Sequence, residues 1–472
     1  MANPLRAMLD WFRTGADRPV DPDETPESIR HRYERHRWSV FLSVTFGYGI
    51  FYICRLNFSV VKKPMLDEDI LSATQMGVIG SALLIAYAAG KLINGFLADR
   101  ANIRRFMSAG LLAVGLVNVA LGFADVLKSE PMRMLLGGSG LFLTVAALWG
   151  VNGWFQATGA PGSIVSISQW FSQKERGSRY GIWCTSHNIG EALTFIITAF
   201  LVSHMGWRWG FWGPGLICVG TAFILFRSLA DRPRTLGLPL VADYRNDPTP
   251  QAAHTESVGK LQLEVLRNPA VWVLGLASAC MYVARYGVNN WGVLYLQEGK
   301  AYSMVHAGTI LAIYSFAGMA GSLASGLLSD YLFKAKRNLP CLLAGVLQIA
   351  SLVAFFLIPP GHMLLDIAAL TVFGFAMGIL VSYLGGLMAI DIVSPRAAGA
   401  ASGVVGMFSY IGAAIQDTVS GVLIDQGRVV GETATTYDFS GAFWFWIGAS
   451  ILSMLLALLV WNAGNKAAHL AT

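Results

Sequence analysis

The sequence predicts an all-α membrane protein of twelve transmembrane helices in two pseudo-symmetric six-helix bundles. Three observations predict it. Of the 472 residues, 54% are hydrophobic and only 13% charged, where a soluble domain carries about 25% charged residues. Apolar runs near the bilayer-crossing length of roughly 20 residues start near Ser39, Gln75, Arg105, Arg133, Ser178, Gly210, Ala270, Val305, Pro340, Leu364, Ala400 and Ala442. The chain also repeats itself. Phe51-Tyr-Ile-Cys-Arg55 lines up with Met281-Tyr-Val-Ala-Arg285 at an offset of 230 residues, and Gly95-Phe-Leu-Ala-Asp99 lines up with Gly326-Leu-Leu-Ser-Asp330 at 231. Gly177, Gly181 and Gly190 match Gly399, Gly403 and Gly412 at 222. Tandem halves of like topology place a site at their interface, near the bilayer midplane.

In chain order, residues 1–37 hold seven arginines and seven carboxylates with no apolar core, so no cleavable signal peptide is expected there. They read as a solvated tail with an aromatic start, Trp11 and Phe12. Six spans occupy 38–229. The stretch 230–266, with Asp231, Pro233, Pro239, Asp243, Asp247, Pro248 and Pro250, reads as a linker. Six more spans occupy 267–463, and 464–472 is a short polar tail. With both termini cytoplasmic, 24 of the 34 Lys and Arg residues fall on that side and seven outside: Lys62, Lys63, Lys128, Arg133, Arg208, Lys300 and Arg428. That bias orients the chain. The net charge of +6 therefore reflects membrane orientation and does not argue for nucleic acid. The five cysteines lack a CxxC pair, so neither a disulfide framework nor a metal site is expected. Without a phosphate loop, a metal-ligand cluster or a nucleophile elbow, neither an enzyme nor a cofactor is expected.

Three cations, Arg55, Lys91 and Arg285, remain inside spans. A charge at mid-membrane costs roughly 2.5–3.5 kcal/mol on insertion scales, so it is rarely idle. Two arginines at matching points of a repeat imply one central site built from both halves, and its natural ligand is an anion.

Gly95-x-x-x-Asp99-Arg100, with Arg104-Arg105 beyond and a weaker echo around Asp330, resembles the loop signature of the major facilitator superfamily. The resemblance implies gating roles for Asp99, Arg100 and Asp330. From about residue 35 to 460 the chain further resembles the organophosphate:phosphate antiporters. The carrying segments are Phe51–Arg55, Gly90-Lys91-Leu-Ile-Asn-Gly95, Gly153-Trp-Phe-Gln156, Trp170–Gly177, His187-Asn188-Ile-Gly190, Tyr282–Gly287 and Ala397-Ala-Gly399. The resemblance implies that Arg55 and Arg285 are the paired phosphate-binding arginines. It also implies that Lys91 faces the cavity, that His187 bonds phosphate or carries a proton, and that Gln156, Tyr282 and Tyr410 line the site. A guanidinium fork binds a phosphate dianion bidentately. Asn290 and Trp291 follow on the same span, where they would face a sugar ring or break the helix near its outer end.

The chain also departs from the family pattern. Leu56 and Asn290 stand where charges are common, and Glu191 replaces a glycine-like position. A second intramembrane carboxylate is Asp417. Three cations against two carboxylates give a site near +1. Either Glu191 pairs with Lys91, or Glu191 and Asp417 couple transport to protons, or both lie solvated at helix ends.

The leading expectation is a monomeric secondary transporter in a bacterial inner membrane. It would import a sugar phosphate, such as glucose 6-phosphate, in exchange for inorganic phosphate. One alternative is a receptor for external hexose phosphate with a sensor-kinase partner; the other is a proton-coupled organic anion symporter.

Overall fold

A computed structural model describes residues 10–128, 139–245, 258–328, 337–393, 398–430 and 435–461. The first half is built from α1 (Pro26–Asp67), α2 (Ala73–Ala98), α3 (Ile103–Leu121), α4 (Gly140–Gln156), α5 (Gly159–Trp170), α6 (Gln173–Met205) and α7 (Trp209–Ser228). The second half is built from α8 (Pro269–Glu298), α9 (Met304–Leu327), α10 (Asn338–Leu357), α11 (Met363–Ser382), α12 (Ala398–Gln426) and α13 (Ser440–Leu459). Among the described residues these make twelve crossings, eleven of them continuous helices long and apolar enough to span. The remaining crossing is shared by α4 and α5, which are interrupted at Ala157 and Thr158. Pro161 falls in the first turn of α5, where its missing N–H leaves no bond unmade. The expected start of this crossing, Arg133, lies outside the described residues, as do Asp330 and the 464–472 tail.

Local signals set the starts. Thr25 accepts the Ser28 N–H ahead of Pro26, and Ser72 and Gln75 form a reciprocal capping box on α2. Asn268 caps α8 ahead of Pro269. Asn57 donates to Asn118 (2.9 Å) and to the Gly210 carbonyl (2.8 Å), tying α1, α3 and α7 together inside the first half. A strand pair, Arg428–Val430 with Thr435–Tyr437, lies between α12 and α13.

At 42 residues α1 runs about 63 Å, far more than the roughly 30 Å hydrocarbon core. Its first turns stand outside the membrane on the side of the termini. This corrects the expectation of a solvated tail to residue 37. Residues 26–37 are helix, and the segment before them is docked. Asn102 N–H donates to the Phe12 carbonyl (2.8 Å), Thr14 N–H to that of Arg100 (3.1 Å) and Arg18 N–H to that of Arg234 (2.9 Å). Thr14 Oγ1 donates to Asp231 (2.6 Å). The tail thereby bonds to backbone groups of the α2–α3 loop and of the chain after α7. Asp231 also accepts the Ile103 N–H at the start of α3 (3.0 Å), and its carbonyl accepts Trp170 Nε1–H (2.9 Å).

The halves meet through α2 against α12, α6 against α9 and α1 against α8. These seams close toward the face opposite the termini, the far side. There Thr74 donates to Asp425 (2.7 Å), Ser81 to the Ala414 carbonyl (2.6 Å), and Lys63 pairs with Glu298. Gly77 and Gly421 let the α2 and α12 backbones touch, since a Cβ at either would collide with the other helix. Toward the termini, a Cβ on Gly95, Gly181, Gly326 or Gly403 would meet nothing. Lys91 is exposed there although it faces Tyr410 of the opposite half. The cleft is therefore open on the terminus side and shut on the far side.

Candidate functional site

Arg55 and Arg285 are both buried, at 5% and 8% exposure, Arg55 in the last third of α1 and Arg285 near the middle of α8. Arg55 is wedged between aromatic faces, 4.4 Å from the Tyr52 centroid and 4.0 Å from that of Tyr87. The two rings attract the guanidinium through their faces. Its Nε and Nη1 have no hydrogen-bond partner among the described residues. Arg285 lies over Tyr282 (5.5 Å) and Tyr286 (5.9 Å), and its Nη2 donates to Glu191 Oε1 at 3.1 Å. Tyr52 lies within electrostatic reach of Arg55, Glu191 and Arg285, so it bridges the two poles. Tyr410 of α12 packs on Tyr87 (4.7 Å) and Tyr282 (5.8 Å), closing the aromatic wall across the halves. Lys91 Nζ lies 5.5 Å from the Tyr410 ring, at the terminus-side mouth.

Two cavities flank this wall. One is lined by His187, Glu191, Arg285 and Tyr314. The other runs from Arg55 past Ser59 and Tyr286 to Lys62, Asn290 and Asp417.

Several sequence readings need correction. Glu191 pairs with Arg285, not Lys91: α6 presents its His187–Glu191 face to α8, while Lys91 lies across the cleft at its open end. Asn290 does not break the helix, because α8 continues to Glu298. Asn290 Nδ2 and Trp291 Nε1 both donate to Asp417, at 2.9 and 2.7 Å. Neither carboxylate is solvated at a helix end; Glu191 is 3% and Asp417 1% exposed. Gln156 is buried and donates to the Phe51 carbonyl (2.8 Å), an interhelical bond between α4 and α1.

Sequence reasoning missed Lys62, which it put in an outer loop. It is buried in α1, 3.6 Å from Asp417 Oδ1 and 3.3 Å from the Trp291 ring. The signal was present: Lys62 is seven residues after Arg55, and so on the same helical face. Asp417 is likewise seven after Tyr410. Lys300, also expected outside, is buried against Asp366 (3.2 Å), whose other oxygen accepts from Tyr302 (2.6 Å). With Lys62 included, Arg55, Lys62, Lys91 and Arg285 face Glu191 and Asp417. The formal charge of the site is +2, not +1.

Among the gating candidates, Asp99 ends α2 and its carbonyl accepts from Arg232, and Arg100 uses its carbonyl to hold the tail at Thr14. Among the described residues no group of His, Cys, Asp and Glu could hold a metal ion.

Known proteins resemble this chain in sequence and in fold. The Major Facilitator Superfamily profile matches residues 44–416. The "Probable hexose phosphate transport protein" of Chlamydia trachomatis is 32% identical, over 93% of this chain and 94% of its own length. The "Membrane sensor protein UhpC" of Salmonella typhimurium is 31% identical, over 97% and 98%. The "Glycerol-3-phosphate transporter" of Bacillus subtilis is 32% identical, over 93% and 95%. In fold, the chain resembles a bacterial homolog of the human lysosomal transporter Spinster, solved inward-facing and unoccupied. The TM-score is 0.69 at 17% identity, covering 91% of this chain and 97% of that one.

Proposed function

We propose that this chain, which belongs to the major facilitator superfamily and within it to the organophosphate:phosphate antiporters, imports a hexose 6-phosphate in exchange for inorganic phosphate. Membership makes it a multi-pass membrane protein whose relatives carry phosphate esters. The observation that carries the finer reading is Arg55: a buried guanidinium with unpartnered N–H groups, in a site of formal charge +2. A phosphate monoester is a dianion with several acceptor oxygens, and the free fork of Arg55 suits it. Arg285, held by Glu191 through one N–H, keeps other donors for the same ligand from the opposite half.

The dianion neutralises the site and draws the halves together, so the cleft closes on the terminus side as the far-side seam opens. An empty site leaves the buried charge of Arg55 uncompensated in a low dielectric, which raises the barrier to reorientation and favours exchange over net movement. The terminus side corresponds to the cytoplasm by its excess of Lys and Arg.

The test is uptake of labelled glucose 6-phosphate into proteoliposomes loaded with phosphate or with none, with and without a pH gradient. Uptake that requires internal phosphate supports the proposal. Uptake that ignores phosphate and follows pH assigns proton coupling instead, and binding without flux assigns a receptor. Arg55→Lys and Arg285→Lys should each abolish exchange while folded protein persists, and near-normal uptake in both would refute the paired-arginine site.

A further inference from the structure

We propose that Glu191 is the residue that sets ligand charge, tuning the site to accept dianionic phosphate monoesters in preference to trianionic ones. This rests on the phosphate-ester reading of the same site. Glu191 is buried and gives one oxygen to Arg285 Nη2 at 3.1 Å. The groups that face it are Arg285 on α8, Arg55 and Tyr52 on α1, Tyr314 on α9, and His187 one turn earlier on α6. Among these it is the sole carboxylate, and it cancels one arginine of the pair. The site's other carboxylate, Asp417, is already matched by Lys62 and saturated by Asn290 and Trp291. What a ligand meets is therefore Arg55 and Lys91 uncompensated, with Arg285 pre-neutralised.

A sugar monophosphate or inorganic phosphate above neutrality brings the total near zero. A phosphorylated carboxylic acid such as 3-phosphoglycerate carries one more negative charge, and Glu191 is the group that opposes it. Removing that charge while keeping the side chain's shape should reverse the preference. One unit charge at ion-pair range in a partly dry site is worth more than a decade of affinity, so a shift of at least about tenfold is expected.

The experiment measures displacement of labelled inorganic phosphate from purified protein by glycerol 3-phosphate and by 3-phosphoglycerate. Wild type, Glu191→Gln and Glu191→Asp are compared. In wild type and Glu191→Asp the monoester should compete better. In Glu191→Gln the ratio should move toward 3-phosphoglycerate by at least about tenfold. An unchanged ratio in Glu191→Gln overturns the proposal. So does loss of binding for both competitors in a folded Glu191→Gln protein, which would make Glu191 a positioning residue for Arg285. Binding is read without flux, so failure of the exchange reading in proteoliposomes is distinguishable from failure here.

Discussion

Replacing Asp417 by asparagine should tip the protein toward a state open on the far side. Lys62 and Asp417 come from opposite halves, each is 1% exposed, and they lie where α2 meets α12. Gly80 allows this, because a Cβ there would overlap the Asp417 carboxylate. Asparagine keeps the acceptor for Trp291 and the shape of the group, removes the charge, and turns the acceptor for Asn290 into a donor that a flipped Asn290 amide can accept. Orphaning one partner of a buried pair costs about 3–5 kcal/mol. The Trp291 face, 3.3 Å from Lys62 Nζ, is present in parent and variant alike and does not offset this. The penalty of about 3–5 kcal/mol falls on the shut far side alone, since opening that seam hydrates the ammonium. It corresponds to a shift of roughly a hundredfold to a few thousandfold in the balance of states. A cysteine at Ser81, which now bonds across the seam to Ala414 and Thr418, reports it through its rate of reaction with a membrane-impermeant maleimide. The rate should rise by that factor in Asp417→Asn and return toward the parent in Lys62→Gln/Asp417→Asn, where no charge is left alone. An unchanged rate in the single variant, or equal rates in single and double, would refute the reasoning.

Asp231→Ala removes the acceptor for the Ile103 N–H and the bond to Thr14 together, and a buried donor left without its acceptor costs about 1–3 kcal/mol; the melting temperature in detergent should fall and protease should cut the N-terminal tail sooner. Glu175, outside the spans, bonds Arg37 (2.6 Å) and lies 3.5 Å from Arg245. Burial acts to raise its pKa, but the hydrogen bond and charge of Arg37, joined by Arg245, outweigh this and hold it below its ordinary value. A lowered folded pKa gives stability that is present above the unfolded value, near 4.3, and lost as pH falls through the folded one. Thermal stability measured on acidification below about pH 5 should therefore drop less in Glu175→Gln than in the parent.

The fold was legible because a bilayer imposes length and composition on every crossing, and because the repeat survives as aligned Arg55 and Arg285. The interruption between α4 and α5 was harder to read, since an apolar run stays apolar across Ala157 and Thr158; Pro161 was its one visible mark. Lys62 was misread because Lys-Lys-Pro ordinarily marks a loop, whereas α1 carries Pro64 in its last turn. Spacing places Lys62 on the face of Arg55, but nothing in spacing says that a partner waits on α12. Pairing across halves depends on which faces α6 and α12 turn inward, and that is a tertiary fact. The same holds for the tail: its composition is that of a solvated segment, and its docking rests on backbone groups of the α2–α3 loop.

The repeat is symmetric in backbone and asymmetric in charge. Arg285 is matched by Glu191, Lys62 by Asp417 and Lys300 by Asp366. The cations of the site left without a carboxylate, Arg55 and Lys91, both belong to the first half. The second half presents Arg285 with its charge balanced but its donors only partly used. Under the proposed exchange, attraction of the anion would rest mainly on the first half, while the second half would supply directional bonds once the cleft closes. Net charge would then decide whether a ligand enters, and hydrogen-bond geometry across the Tyr52, Tyr282 and Tyr410 wall would decide whether the halves close on it. Such a division lets Glu191 change which anion is preferred without altering the arginine pair itself.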